Sequence, residues 1–286
     1  MPLKMYDPAA KPSGGVTAVK HILGIAAGKG GVGKSTVTAN LARALKKQGF
    51  SVGVLDTDIY GPSIRKMLPE DRLPGRKGDK LLPALSEGMH VLSLAYFRKE
   101  NEAAAIRAPI ANSVISQFLH GVEWGELDFL LIDFPPGTGD IQLTLSQQAN
   151  LSGAIMVTTP QEVAVMDVKK AMSLFDQVRV PVIGIIENMS YYQPPLGEKV
   201  YLFGKGGGER LALDSGLPFL GQIPIDASLC ASGDSGVSLF AKSEENISVK
   251  AFMLMAQQVV AHVDALKVQN SGVMQQFELA WKEMNT

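Results

Sequence analysis

Residues 28–36 read GKGGVGKST. Within them, Gly28 to Ser35 fits G-x-x-x-x-G-K-[ST] at every fixed position, and the context is the one that pattern needs. The apolar run HILGIAA (residues 21–27) precedes it, and the helical pattern STVTANLARALKKQG (residues 35–49) follows. Glycines at 28, 30, 31 and 33 let backbone N–H groups turn inward around phosphate oxygens. The start of the helix adds the positive end of its dipole. In such a loop Lys34 reaches the β- and γ-phosphates, and the Ser35 hydroxyl ligates Mg²⁺. Gly28, Lys29, Gly30, Gly31, Val32, Gly33, Lys34, Ser35 and Thr36 are therefore the expected nucleotide-binding residues. The plain alternative is a glycine-rich turn without a ligand.

Outward from this loop, short β-like runs alternate with helical stretches. SVGVLD (51–56), HVLSLA (90–95), DFLLID (128–133), GAIMVTT (153–159), VPVIGIIEN (180–188) and FLGQIP (219–224) read as strands. Several are almost continuously apolar, as in a parallel sheet covered on both faces. EVAVMDVKKAMSLFDQV (162–178) reads as a helix between two of them. The fold class expected is α/β: one doubly wound, mostly parallel sheet with helices on both faces. Residues 1–19 read as a flexible N-terminal tail, 20–265 as the folded domain and 266–286 as a C-terminal helical tail. PEDRLPGRKGDK (69–80) reads as a polar, mobile loop. With 46% apolar and 19% charged residues in 286, a sizeable core is available, and a net charge of -1 offers no general pull toward nucleic acid. Neither a secretory leader nor an apolar run near the ~20 residues of a membrane span is visible. One cysteine excludes disulfides within the chain. A cytoplasmic location is the expectation.

Carboxylates follow at the expected edge of the sheet. Asp133 ends DFLLID, where it can hold a magnesium-bound water. Asp56 and Asp58 lie just beyond the second strand in LDTDIYGPS, and either can orient an attacking water. PPGTGD (135–140) follows Asp133, and its Gly137 N–H is placed to sense a γ-phosphate. Helix capping or turn formation is the competing role for each carboxylate, Asp140 included.

Together these stretches resemble one family. GKGGVGKST is similar to the deviant phosphate loop of MinD/ParA-type ATPases, in which the early lysine, here Lys29, is the signature. DTDIYGPSI, WGELDFLLIDFPPGTGDIQLTLSQ, VTTPQEVA, ENMSY, FGKGGGERLA and FLGQIPID look like its Mrp/ApbC branch of iron–sulfur cluster carriers, over about His21 to Gly236. The resemblance implies an ATP-hydrolysing, Mg²⁺-dependent homodimer that sandwiches two nucleotides. Lys29 then reaches the partner's phosphates, and Asp58 positions the water and touches the metal through it. Asn188 reads the adenine, and Pro224 to Asp226 flank it. It also implies an iron–sulfur cluster and, as partners, cluster-assembly or acceptor proteins. Loss of the cluster with retention of an ATP-driven interaction switch, and a ParA/MinD-type partitioning or positioning ATPase, are the alternatives.

The chain departs from the family in two places. Many bacterial members carry a further N-terminal domain, and here only a short tail precedes the first strand. Cluster-binding members usually carry Cys-x-x-Cys after ENMSY, where this chain reads YYQPPLGEKVYLFG. Cys230, in DASLCASGD, reads as a small buried hydrophobe. The four histidines show no metal-ligand spacing. A second glycine run, LFGKGGGER (202–210), lacks the Lys-Ser/Thr ending. Glu209 disfavours a phosphate at that helix start, so the run is expected to be a tight turn into a helix. At the C-terminus, Val273, Met274, Phe277, Trp281 and Met284 recur at helical spacing as an apolar stripe, expected to dock on the body or on a partner.

Overall fold

The computed structural model describes residues 16–97, 108–242 and 244–284. After a 3₁₀ turn at Val16–Ala18, the apolar run before the glycine loop forms β1 (Val19–Ala26). The loop leads into α1 (Lys34–Lys47), then β2 (Val52–Asp56), the short α2 (Ile64–Met67), and four strands: β3 (Gly75–Lys77), β4 (Lys80–Leu82), β5 (Ala84–Ser86) and β6 (Met89–Ser93). α3 (Ala108–His120), β7 (Leu127–Asp133), α4 (Asp140–Gln148), β8 (Gly153–Thr158), α5 (Glu162–Gln177) and β9 (Val182–Glu187) continue the alternation. The chain closes with α6 (Gly207–Ser215), β10 (Phe219–Gln222), α7 (Ala227–Ser235), α8 (Leu239–Lys242) and α9 (Ile247–Met284).

The main sheet has the order β10-β9-β8-β1-β7-β2-β6-β5, parallel throughout except for β5, which pairs antiparallel with β6. Side chains alternate across it: Leu23 and Ile25 of β1 join one core, Ile22 and Ala26 the other. The first core is closed by α1, α2, α7, α8 and α9, the second by α3, α4, α5 and α6. Both faces are buried, which is why these strands read as unbroken apolar runs. Register brings the strand ends level. Asp56 pairs with Asp133 and Thr158 with Glu187, so the polar residues ending β2, β7, β8 and β9 share one edge.

Three boundaries differ from expectation. Residues 69–80 are not a plain loop: β3 and β4 pair antiparallel from Gly75–Leu82 to Lys77–Lys80, around Gly78 and Asp79. A polar, lysine-rich hairpin buries little and so shows no apolar alternation. The strand expected at 90–95 stops at Ser93, because Leu94–Tyr96 turns into a 3₁₀ segment capped by the Ser93 hydroxyl. No break separates 265 from 266, since α9 is continuous across them. Of the tail expected at 1–19, residues 16–19 form the 3₁₀ turn and the start of β1, while 1–15, like the side chains of Val273, Met274, Phe277, Trp281 and Met284, lie outside the described residues.

Candidate nucleotide site

The loop from β1 to α1 turns at Gly33, whose φ of 80° lies in the left-handed region. A Cβ there would stand 2.2 Å from Asn188 Nδ2, so glycine is required on both counts. Gly33 also caps α1 without any side-chain hydrogen bond. A glycine cap offers no side-chain acceptor to the first N–H groups of this 14-residue helix.

Three side chains of α1 converge on one carboxylate. Lys34 Nζ stands 2.8 Å from Asp133 Oδ1, Ser35 Oγ donates to Asp133 Oδ2 at 2.6 Å, and Thr38 Oγ1 donates to Oδ1 at 2.7 Å. Asp133 is fully buried and Lys34 nearly so. Beside it, Asp56 accepts from the Ser93 hydroxyl (2.9 Å) and from the N–H groups of Asp58 (3.1 Å) and Ile64 (3.4 Å). Burial, then the adjacent Asp133 charge, pushes the Asp56 carboxyl up to about 7, against the pull of Ser93 and Lys34. Asp56, Asp133 and Lys34 therefore share the buried floor of the site.

Asp58 stands apart from this floor. Its Oδ1 accepts from Gly61 N at 3.1 Å, which shapes residues 58–61 into a turn. It lines a cavity of about 220 Å³ together with residues 29–36 of the loop, Ser63 and Pro136. The structure thus brings Lys29, Lys34, Ser35 and Asp58 to one space, with Asp133 directly beneath Lys34 and Ser35. Pro136, next to Gly137, reaches this cavity; Gly137 itself turns with φ 97°. Asp140 is the first residue of α4. Two larger cavities lie elsewhere, one beside Arg43 and Phe240 and one between β10 and α9.

The residues expected at the base are arranged differently from one another. Asn188 is buried and donates from Nδ2 to the Val32 carbonyl at 2.8 Å, under the loop itself. The Pro224 segment is joined to the Asn188 turn by Ser190 N to Ile223 O (2.9 Å) and Ile225 N to Tyr191 O (2.7 Å). Asp226 is occupied as the N-cap of α7: it accepts from Ser228 N and Oγ, Ser248 Oγ and Asn246 Nδ2. Burial raises its pKa, but these hydrogen bonds outweigh that and hold it below the usual carboxylate value.

Sequence reasoning passed over Thr38 and Glu187. Thr38 stands four residues after Lys34 on one helix face, a spacing that was there to be read. Glu187 is wholly buried at the end of β9, where it accepts from Ser190 Oγ and, at 2.6 Å, from Gly208 N. This carboxylate fills the start of α6, and a Cβ on Gly207 would meet the Pro160 carbonyl at 2.3 Å. The second glycine run is thus a close-packed helix start whose Gly208 N–H is taken by the chain's own Glu187 side chain, whereas Glu209 is exposed. Cys230 corrects an expectation: it is exposed, because Leu229 and Ser232 take the inward positions of α7 and leave residue 230 on the outer side. Among the described residues no group of three or more His, Cys, Asp or Glu is placed to hold a metal ion. No described helix is long and apolar enough to cross a membrane.

This geometry agrees with what the chain is similar to. The ParA family model described as NUBPL iron-transfer P-loop NTPase matches residues 18–260. An iron–sulfur cluster carrier protein of Aquifex aeolicus is 43% identical over 257 residues, 88% of this chain and 70% of that protein. Among solved structures, a nucleotide-binding protein of Archaeoglobus fulgidus in complex with ADP superposes with a TM-score of 0.69 at 41% identity, covering 77% of this chain and 88% of that one. The cell division ATPase MinD of Pyrococcus furiosus shares the fold, with a TM-score of 0.64 at 21% identity over 85% of this chain and 99% of its own. A phosphate loop built on Gly33, Lys34 and Ser35, set in this sheet order and matched over most of its length, makes the chain a member of the ParA/NUBPL iron-transfer P-loop NTPase family.

Proposed function

We propose that this P-loop NTPase is an ATP-switched homodimer of the iron–sulfur cluster carrier family. The observation that carries the reading is the convergence of Lys34, Ser35 and Thr38 on Asp133, with Asp58 facing the same loop across one cavity. In this reading Lys34 leaves Asp133 for the β- and γ-phosphates when ATP enters. Asp58, held by Gly61 N, orients the attacking water. Lys29 reaches across the dimer to stabilise charge on the partner's phosphates, and Gly137 N–H senses the γ-phosphate. Asn188 meets the adenine, with the backbone of Pro224 to Asp226 beside it.

Mg²⁺ fits the donor set. Ser35 Oγ and Asp133 Oδ2, 2.6 Å apart, are hard oxygen donors beside buried negative charge. Ser35 would hold the ion directly, and Asp133 and Asp58 through water. Bound there, Mg²⁺ neutralises charge on the transferring phosphoryl group. Substituting Lys34 abolishes turnover in this reading. Undiminished ATP hydrolysis by Lys34→Ala would sink it.

An iron–sulfur cluster does not fit this chain's own residues in the same way. A four-iron cluster takes four thiolates, and a homodimer brings only two, both Cys230. That count favours a second reading, a nucleotide-driven switch that engages a protein partner without holding a cluster alone. Anaerobic reconstitution with iron and sulfide separates the two. A stoichiometric cluster with its visible absorption supports the carrier, and its absence supports the switch.

A further inference from the structure

Asn188 lies against the phosphate end of the site, although its expected task is the base. Its Nδ2 donates to the Val32 carbonyl at 2.8 Å and packs directly on Gly33. Gly33 has no room to move toward it. The turn carrying Asn188 is itself fixed from three sides. Asn188 N donates to Thr158 O at 2.8 Å, Ser190 N donates to Ile223 O at 2.9 Å, and the buried Glu187 carboxylate binds both Ser190 Oγ and the start of α6. Met189 adopts φ 53°, an unfavourable conformation for a non-glycine residue, and its Cε stands 3.7 Å from where a Gly33 Cβ would be. A strained, over-determined turn, buried at Asn188 and Ser190, therefore holds one amide against the loop.

We infer that Asn188 is a positioning residue for the phosphate loop. It fixes the Val32–Gly33 peptide so that the loop N–H groups face inward before any nucleotide arrives. One N–H of the amide donates to Val32, and among the described residues no hydrogen bond takes the other N–H or Oδ1, which leaves them for the base, so one side chain links the loop backbone to the base. The inference rests on the proposed nucleotide site and deepens it.

The test uses a ligand without a base. Wild type, Asn188→Ala and Asn188→Asp are titrated calorimetrically with Mg²⁺-ATP and with Mg²⁺-tripolyphosphate, and thermal unfolding checks that each variant is folded. Asn188→Asp keeps the shape but puts a carboxylate oxygen against the Val32 carbonyl. Loss of one hydrogen bond of ordinary strength predicts about fivefold weaker tripolyphosphate binding in Asn188→Ala, and a larger loss in Asn188→Asp. Tripolyphosphate affinity unchanged in both folded variants, with ATP affinity lowered, would assign Asn188 to the base alone and overturn the inference. A wild-type chain that binds neither ligand would overturn the nucleotide site itself, and the inference with it.

Discussion

At the scale of single residues, the most informative contact is Lys34 on Asp133. In this buried pocket Lys34 Nζ lies 2.8 Å from Asp133 Oδ1, so Lys34 serves the fold as well as its proposed role at the phosphates. Lys34→Ala is expected to lose ATP turnover and, separately, roughly 3–5 kcal/mol of stability, because an unpaired buried carboxylate remains. Urea unfolding without nucleotide checks the second effect. Asp58 carries less structural burden: it is partly exposed, and among the described residues its side chain accepts from Gly61 N, within its own turn. Asp58→Asn is expected to unfold like wild type and bind ATP, yet hydrolyse it roughly 10²-fold more slowly. Phosphate release at saturating ATP measures this, and a rate within a factor of two of wild type would remove Asp58 from water positioning. The two aspartates of LDTDIYGPS were not separable by spacing. Burial separates them, since Asp56 holds the turn from below while Asp58 faces the cavity.

At the scale of elements, acid stability has a definable source where β1, β2 and β7 begin. Lys20 Nζ bonds Asp128 Oδ1 at 2.7 Å, while Ser51 N and Oγ both donate to Oδ2 at 2.8 Å. The Lys20 contact, ahead of the Ser51 donors, holds the Asp128 carboxyl down at about 2. A carboxyl lowered on folding stabilises fully above its unfolded pKa, near 4, and the gain is lost as pH falls from there through about 2. Asp128→Asn should therefore flatten the urea midpoint between pH 4 and 2 and lower it at pH 7. The second element-scale joint is Glu187 at the start of α6. Glu187→Ala strands a buried Gly208 N–H and is expected to cost about 2 kcal/mol by chemical denaturation. The strands were legible because burial on both faces leaves uninterrupted apolar runs, such as FLLI in β7. The hairpin of β3 and β4 was not legible: Arg76, Lys77 and Lys80 carry no core pattern, and Gly78-Asp79 was its single cue. Glu187 was hidden because its partner, Gly208, lies 21 residues away.

At the scale of the whole molecule, Lys29 carries the sharpest test of how the site works. In the structure Lys34 sits on its own chain's buried aspartate, whereas Lys29, half-buried at the start of the loop, lines the same cavity. In the proposed homodimer each chain gives this lysine to the other's phosphates across a two-fold interface. Removing it should then cost roughly 10³-fold in turnover, as for a charge-stabilising finger supplied in trans, while ATP still binds. The decisive experiment mixes two inactive chains. In a heterodimer of Lys29→Ala and Lys34→Ala, the first chain keeps its own Lys34 and receives Lys29 from the second, so one site of two is complete. Random pairing makes half of the dimers mixed, and turnover should return to roughly a quarter of wild type. If Lys29 acts within its own chain, every site in the mixture lacks a lysine, and activity stays at the level of the separate variants. Rising specific activity with protein concentration in the wild type, across the range in which light scattering detects the dimer, is the accompanying expectation.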